Sequence, residues 1–148
     1  MNRILHRRSV LHAGLALGAS LVVPSARACE FFSSTLRITH PWTRATAGDA
    51  TSAVVCMKFD EVTRADRLIG VETPVAGGAE MGGLSARPAV DFTIPEGCET
   101  LLSEEGTFLR LVGLKFALEV GREHELTLFF ESGGVVSASL SVDYDRPG

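Results

Sequence analysis

Residues 107–112 alternate like a half-buried strand, leucines against a mixed face, and stop at Gly113-Leu114-Lys115. A period of two predicts a half-buried strand, with Leu109 and Leu111 on one face and Phe108, Arg110 and Val112 on the other. That second face carries a bulky aromatic and a cation where ordinary polar residues are expected. The same alternation runs through 35–40, and β-branched or aromatic residues dominate 53–59 and 67–72. Residues 91–94 and 99–102 flank Pro95-Glu96-Gly97, which reads as a hairpin turn. Residues 125–131 and 135–142 enclose Gly133-Gly134, a strong hairpin signal. No long amphipathic helix interrupts the series. Short strands at regular spacing with Gly/Pro turns predict an all-β fold, a Greek-key β-sandwich of about 7–9 strands. No repeat, low-complexity segment or linker divides residues 29–148, so they are read as one domain.

Residues 1–28 follow another pattern. They hold Arg3, Arg7, Arg8 and Arg27, no acidic residue, and an apolar run from 10 to 23. The run closes on Ala26-Arg27-Ala28, a small-x-small cleavage site, and the segment is read as an export signal removed before Cys29. Arg7-Arg8-Ser9-Val10-Leu11 has the form of a twin-arginine motif, an ordinary secretory signal being the alternative. The mature protein is therefore expected in the periplasm. A lipoprotein signal also ends at Cys, but Arg27 stands where such signals want a small or β-branched residue. Lipid on Cys29 would convert a soluble protein into an anchored one.

Cleavage there leaves 120 residues, with 10 Lys and Arg against 18 Asp and Glu, a net charge of −8. That length can bury a core without help from disulfides. The acidic balance argues against nucleic acid and against an anionic membrane, leaving membrane contact only to a lipidated Cys29. No later apolar run reaches the length of a membrane span.

Chemistry-bearing residues are sparse. The mature chain has His40, at a strand end, and His124, in a turn before the strand at 125. Met57 belongs with Ala53, Val55 and Phe59 on one strand face and reads as core. Cys56 is mid-strand and reads as a buried thiol, Cys98 as an exposed one, and Cys29 sits on the N-terminal arm. Three cysteines leave at least one free or paired with another molecule. With no nucleophile elbow, phosphate loop or paired-histidine motif, no catalytic constellation stands out. The chain is not read as an enzyme.

Several stretches together carry a family likeness: His40-Pro41-Trp42-Thr43-Arg44-Ala45-Thr46, Asp66-Arg67-Leu68-Ile69-Gly70-Val71 followed by Pro74-Val75-Ala76, and Ile94-Pro95-x-Gly97. Gly113-Leu114-Lys115 with Leu118 and Gly121, and Leu126-Thr127-Leu128-x-Phe130-Glu131, continue it to the end of the domain. In this order they resemble the periplasmic copper chaperones of the PCuAC type. The resemblance implies a cupredoxin-like β-sandwich, copper(I) as cargo, and delivery to the Cu(A) centre of respiratory oxidases. A periplasmic oxidase-assembly protein is the implied partner.

The family's ligands are a His, a Met ten residues on, and a His-x-Met after twenty-one more. Aligned on Arg87-Pro88 and Gly113-Leu114-Lys115, that pattern puts Ala86 at the first Met, Phe108 at the second His and Arg110 at the last Met. The first His falls near Met81, read as a loop residue. The spacing survives and the ligands do not: Ala86 and Phe108 offer no donor, and Arg110 is a permanent cation that repels copper. Two readings follow. One is a metal-free binding module whose Phe108/Arg110 face meets a partner, although the two side chains could equally fill a vacated site. The other is a copper(I) carrier with non-family ligands such as Met81 and Cys98.

Overall fold

Period-two segments become strands because each can then bury one face while its backbone is satisfied by neighbours. The computed structural model describes residues 29–146, so the export-signal reading of 1–28 lies outside it. The strands are β1 (Glu30–Phe32), β2 (Arg37–Arg44), β3 (Ser52–Asp60), β4 (Asp66–Glu72), β5 (Ala76–Gly83), β6 (Phe92–Ile94), β7 (Thr100–Leu102), β8 (Thr107–Leu114), β9 (Glu123–Phe130) and β10 (Gly134–Tyr144). They form one continuous sheet in the order β5-β8-β3-β2-β10-β9-β4-β6, with β1 added to β2 and β7 to β3. Among the described residues only β2 and β10 run parallel. The sheet curls until its halves face each other, which gives the expected all-β sandwich.

Between the halves lie Val55, Met57 and Phe59 of β3, Leu109 and Leu111 of β8, and Leu126 and Leu128 of β9. Ile38, Leu68, Ile94 and Leu140 complete the centre, each with no exposed surface. Burying each large side chain contributes about 1.5–3 kcal/mol.

The structure corrects several sequence expectations. There are ten strands among the described residues, more than expected, because β1 is only three residues long and the glycine-rich β5 shows no alternation. Pro95-Glu96-Gly97 is not a hairpin turn: β6 pairs with β4 and β7 with β3, so the chain crosses there between the halves. His40 does not end its strand. It sits at a bulge between Thr39 and Trp42, with φ at 54°, and β2 continues to Arg44.

One buried carboxylate ties three parts of the fold together. Asp66, at the head of β4, is 5% exposed. Its Oδ1 accepts from the backbone N–H groups of Arg67 (2.8 Å) and Ser132 (2.7 Å). Its Oδ2 accepts from Gly133 N–H (2.8 Å) and Thr35 Oγ1 (2.7 Å). The β9–β10 turn and the β1–β2 connection are thus held to β4. Gly133 is required here, since a Cβ would approach Asp66 Oδ2 and Thr35 Oγ1 to 2.9 Å. Burial alone would push the Asp66 carboxyl up. The hydrogen bonds from Ser132, Thr35, Arg67 and Gly133 outweigh it and hold the pKa below the ordinary value.

A lowered folded-state pKa means the stabilisation is complete above the unfolded value of about 4 and is lost as pH falls through the folded one. Asp66→Asn, which turns a donor toward N–H groups that need an acceptor, should cost roughly 2–4 kcal/mol at neutral pH. It should also flatten the acid limb of stability against pH. Urea denaturation of both proteins between neutral pH and pH 3 checks this; an unchanged midpoint in the variant contradicts the role given to Asp66.

Candidate functional site on the outer face of β8

β8 lies between β5 and β3, and its register decides what meets on the outward face. Leu109 and Leu111 point inward with no exposed surface, leaving Phe108, Arg110 and Val112 outside, as the alternation predicts. Across β5, Gly82 stands opposite Phe108, Glu80 opposite Arg110 and Gly78 opposite Val112. The Phe108 ring occupies the space that Gly82 leaves, and a Cβ there would overlap the ring. Gly83 has φ +77°, and a Cβ on it would strike the Gly106 carbonyl. Glycine is needed at both positions.

Arg110 is spoken for on both sides. Its guanidinium sits 5.3 Å from the Phe108 ring centroid, and Nη1 donates to Glu80 Oε2 at 3.0 Å. Both partners are about one-third exposed, so the ion pair is modest in energy but fixes the geometry. On the other side β3 places Val54 level with Arg110, and the β2–β3 register continues the row to Arg44 and then Tyr144. A second row runs from Gly82 and Phe108 toward Cys56 and Trp42.

Arg44 repeats the arrangement of Arg110. It is bidentate to Glu104, Nε to Oε2 at 2.7 Å and Nη2 to Oε1 at 3.1 Å. It also lies 5.9 Å from the Trp42 ring centroid and 5.3 Å from that of Tyr144, and those two rings meet edge to face at 4.9 Å. The hydrogen bond raises the Arg44 pKa and lowers that of Glu104, so both stay charged. The outer face is thus a layer of three aromatics and two arginines, each arginine neutralised by its own glutamate.

The sequence-predicted donors are scattered. Met81 is not a loop residue: it lies in β5, level with Leu109, and is 1% exposed. Cys98 is exposed in the crossover between β6 and β7. Met81 is level with Val55 through Leu109, whereas Thr100 is already level with Phe59. Cys98 is therefore about 20 Å further along the strand direction at ~3.3 Å per residue. The two are not brought together. Ala86 is exposed in the segment after β5.

Cys56 is buried, as expected, and burial, with Glu104 and Glu105 adding, pushes its thiol up to about 12, so it stays protonated. Cys29 is half-buried beside β1, where its carbonyl accepts from His40 N–H. His40 Nε2 meets Asp143 Oδ2 at 2.7 Å. His124 is a β9 residue rather than a turn residue, with its Nε2 buried and unpartnered and its ring 6.0 Å from Phe116. Among the described residues no three His, Cys, Asp or Glu side chains converge. Sequence reading missed Glu80 and Gly82, which become visible only when β5 is recognised as the antiparallel partner of β8.

If the Phe108 ring occupies the space of a missing Cβ, the two positions must be coupled. Gly82→Ala should destabilise by about 1–3 kcal/mol, and most of that cost should disappear in a Phe108→Ala background. A double-mutant cycle by chemical denaturation measures it; additive effects contradict the packing described.

The family model for LpqE-like proteins, whose description names a lipoprotein, matches residues 36–142. No curated protein matches the chain. Among solved structures, the copper-bound PCuAC domain of PmoF2 is 28% identical with TM-score 0.69, covering 78% of this chain and 97% of that one. The apo PCuAC domain of PmoF1 is 27% identical with TM-score 0.70, covering 78% and 98%. Copper(I)-bound DR1885 from Deinococcus radiodurans, 22% identical, shares the fold at TM-score 0.62 over 74% and 78%. The chain belongs to the LpqE-like family and has the cupredoxin-like fold of PCuAC copper-chaperone domains.

Proposed function

We propose that this protein is a periplasmic PCuAC-type chaperone relative that no longer holds copper in the family's way and acts as a metal-free binding module. One observation carries the reading. Where the resemblance calls for copper ligands, the Phe108 ring fills the space over Gly82 and Arg110 is paired with Glu80. The face is complete without an ion, and a guanidinium at its centre repels one. Trp42, Arg44, Tyr144, Phe108 and Arg110 are the residue types that dominate protein–protein hot spots, and their charges are already balanced. Docking there requires no desolvation of an unpaired charge.

The binding partner is a protein, and the resemblance points to one that assembles a copper-containing respiratory oxidase. The export signal read in residues 1–28 supports a periplasmic address. The family's description as a lipoprotein gives weight to a lipid on Cys29, which would hold the module at the membrane. The runner-up, a copper(I) carrier using Met81 and Cys98, finds one donor inside the core and the other at the far end of the sheet. The relatives with solved structures include copper-bound PCuAC domains, which keeps that reading open to titration.

A photoreactive residue at Ser52, exposed on this same outer face and level with Val112, tests the module directly in cells. Discrete crosslinks should form and should be lost in Phe108→Ala with Arg110→Gln, at a temperature where that variant is folded. An unchanged crosslink pattern in the folded variant contradicts the proposal.

A further inference from the structure

The sheet path ends at β5, which among the described residues pairs as a strand only with β8. Its other edge is used at one point: Met81 N–H donates to the Arg87 carbonyl (3.0 Å), and Arg87 N–H donates back to the Met81 carbonyl (3.2 Å). In an antiparallel strand these groups alternate between the two edges. Ala79 therefore directs both of its groups the same way as Met81, and Gly77 its carbonyl; opposite Gly113, at φ 65°, the ladder changes phase, with Lys115 N–H bonded to the Val75 carbonyl and Gly77 N–H turned to β8. Among the described residues no strand meets them, because Pro88 follows Arg87, lacks an N–H, and the chain leaves for β6. Across the gap, β4 is bonded to β6 only through Asp66, Arg67 and Leu68, so its edge from residue 69 to 72 is open as well. Between the two edges runs a groove of about 460 Å³, lined in part by Val71, Glu72, Ala76, Gly77, Gly78 and Glu125.

The glycines of this groove have no internal cause. A Cβ on Gly77 would come no nearer than 3.7 Å to the Gly113 carbonyl, and one on Gly78 would meet Val112 Cγ2 at 3.6 Å, both ordinary contacts. Neither has the positive φ that demands glycine, unlike Gly83 on the same strand. Glycine in a strand that its own fold does not require marks a place where another backbone approaches closely. The rim sets the sign of what approaches. Glu72 and Glu125 are exposed, and among the described residues neither forms an ion pair.

We propose that this groove accepts an extended peptide segment carrying Lys or Arg, which adds to β5 as a further antiparallel strand. Main-chain bonds to both groups of Ala79 and to the Gly77 carbonyl continue the row begun by Arg87 at Met81 and supply affinity, while Glu72 and Glu125 select basic side chains. A second copy of this chain suits the site poorly, since the mature protein carries a charge of −8.

A short capped peptide alternating Lys and Val is the probe, titrated into the mature protein and followed by anisotropy and by backbone amide exchange. Saturable binding should slow exchange at Ala79. Affinity should fall at least about tenfold for the peptide N-methylated on alternate residues, which needs no variant protein. Ala79→Pro, which removes an edge N–H, and Gly77→Val with Gly78→Val should act likewise. Glu72→Gln with Glu125→Gln should weaken binding about threefold and flatten its salt dependence. No binding at millimolar peptide, equal binding of a Glu–Val peptide, or indifference to N-methylation would overturn the proposal. So would a peptide-free dimer that already protects Ala79, which would assign the edge to a second copy.

Discussion

The register between β5 and β8 governs this protein. Antiparallel pairing sets Gly82 against Phe108 and Glu80 against Arg110, and in the same stroke turns Met81 and Leu109 into the core. A slip of β5 by one residue would turn Met81 out and Glu80 and Gly82 in, exposing the methionine and burying a carboxylate. The register is held from within by Leu109 and Leu111 and from without by the ring that needs a glycine beneath it. That Phe108 and Arg110 are neither histidine nor methionine is therefore not a local substitution. The whole β5–β8 ladder is built around an aromatic and a cation in that place.

Charge on this face follows one rule applied twice. Arg110 stacks on Phe108 and pairs with Glu80; Arg44 stacks on Trp42 and Tyr144 and pairs with Glu104. Stacking suits the weakly hydrated guanidinium, and the glutamates cancel its charge without burying it. The result is a flat, amphipathic and electrically quiet surface in a molecule that is otherwise acidic. Such a surface can exclude water against a partner at small electrostatic cost. On the proposed reading that surface serves a partner rather than a soft metal ion.

How much of this could be read from the chain depended on whether the signal was local. The two faces of β8 were legible because leucines alternate with Phe108 and Arg110 over a single strand. Cys56 and Met57 were legible for the same reason. β5 was not, because Ala76–Gly83 contains four glycines and its alternation lies in backbone direction rather than side-chain polarity. Losing β5 meant losing Glu80 and Gly82, and it left Met81 looking like a loop residue. The crossover at Pro95-Glu96-Gly97 imitated a hairpin because turn residues report a change of direction, not the strand that follows. Asp66 was invisible as an anchor: its donors come from Thr35, Ser132 and Gly133, which only the closed sheet brings to it.

Anaerobic titration of the reduced mature protein with copper(I), against a chromophoric chelator, bears most directly on whether the outer face of β8 has exchanged metal for packing. No competition at micromolar protein is the expected result, since neither the stacked Arg110 nor the ring over Gly82 can be a ligand. Stoichiometric binding tighter than about micromolar would contradict a face that is complete in itself. It would direct attention to donors that leave the positions seen here.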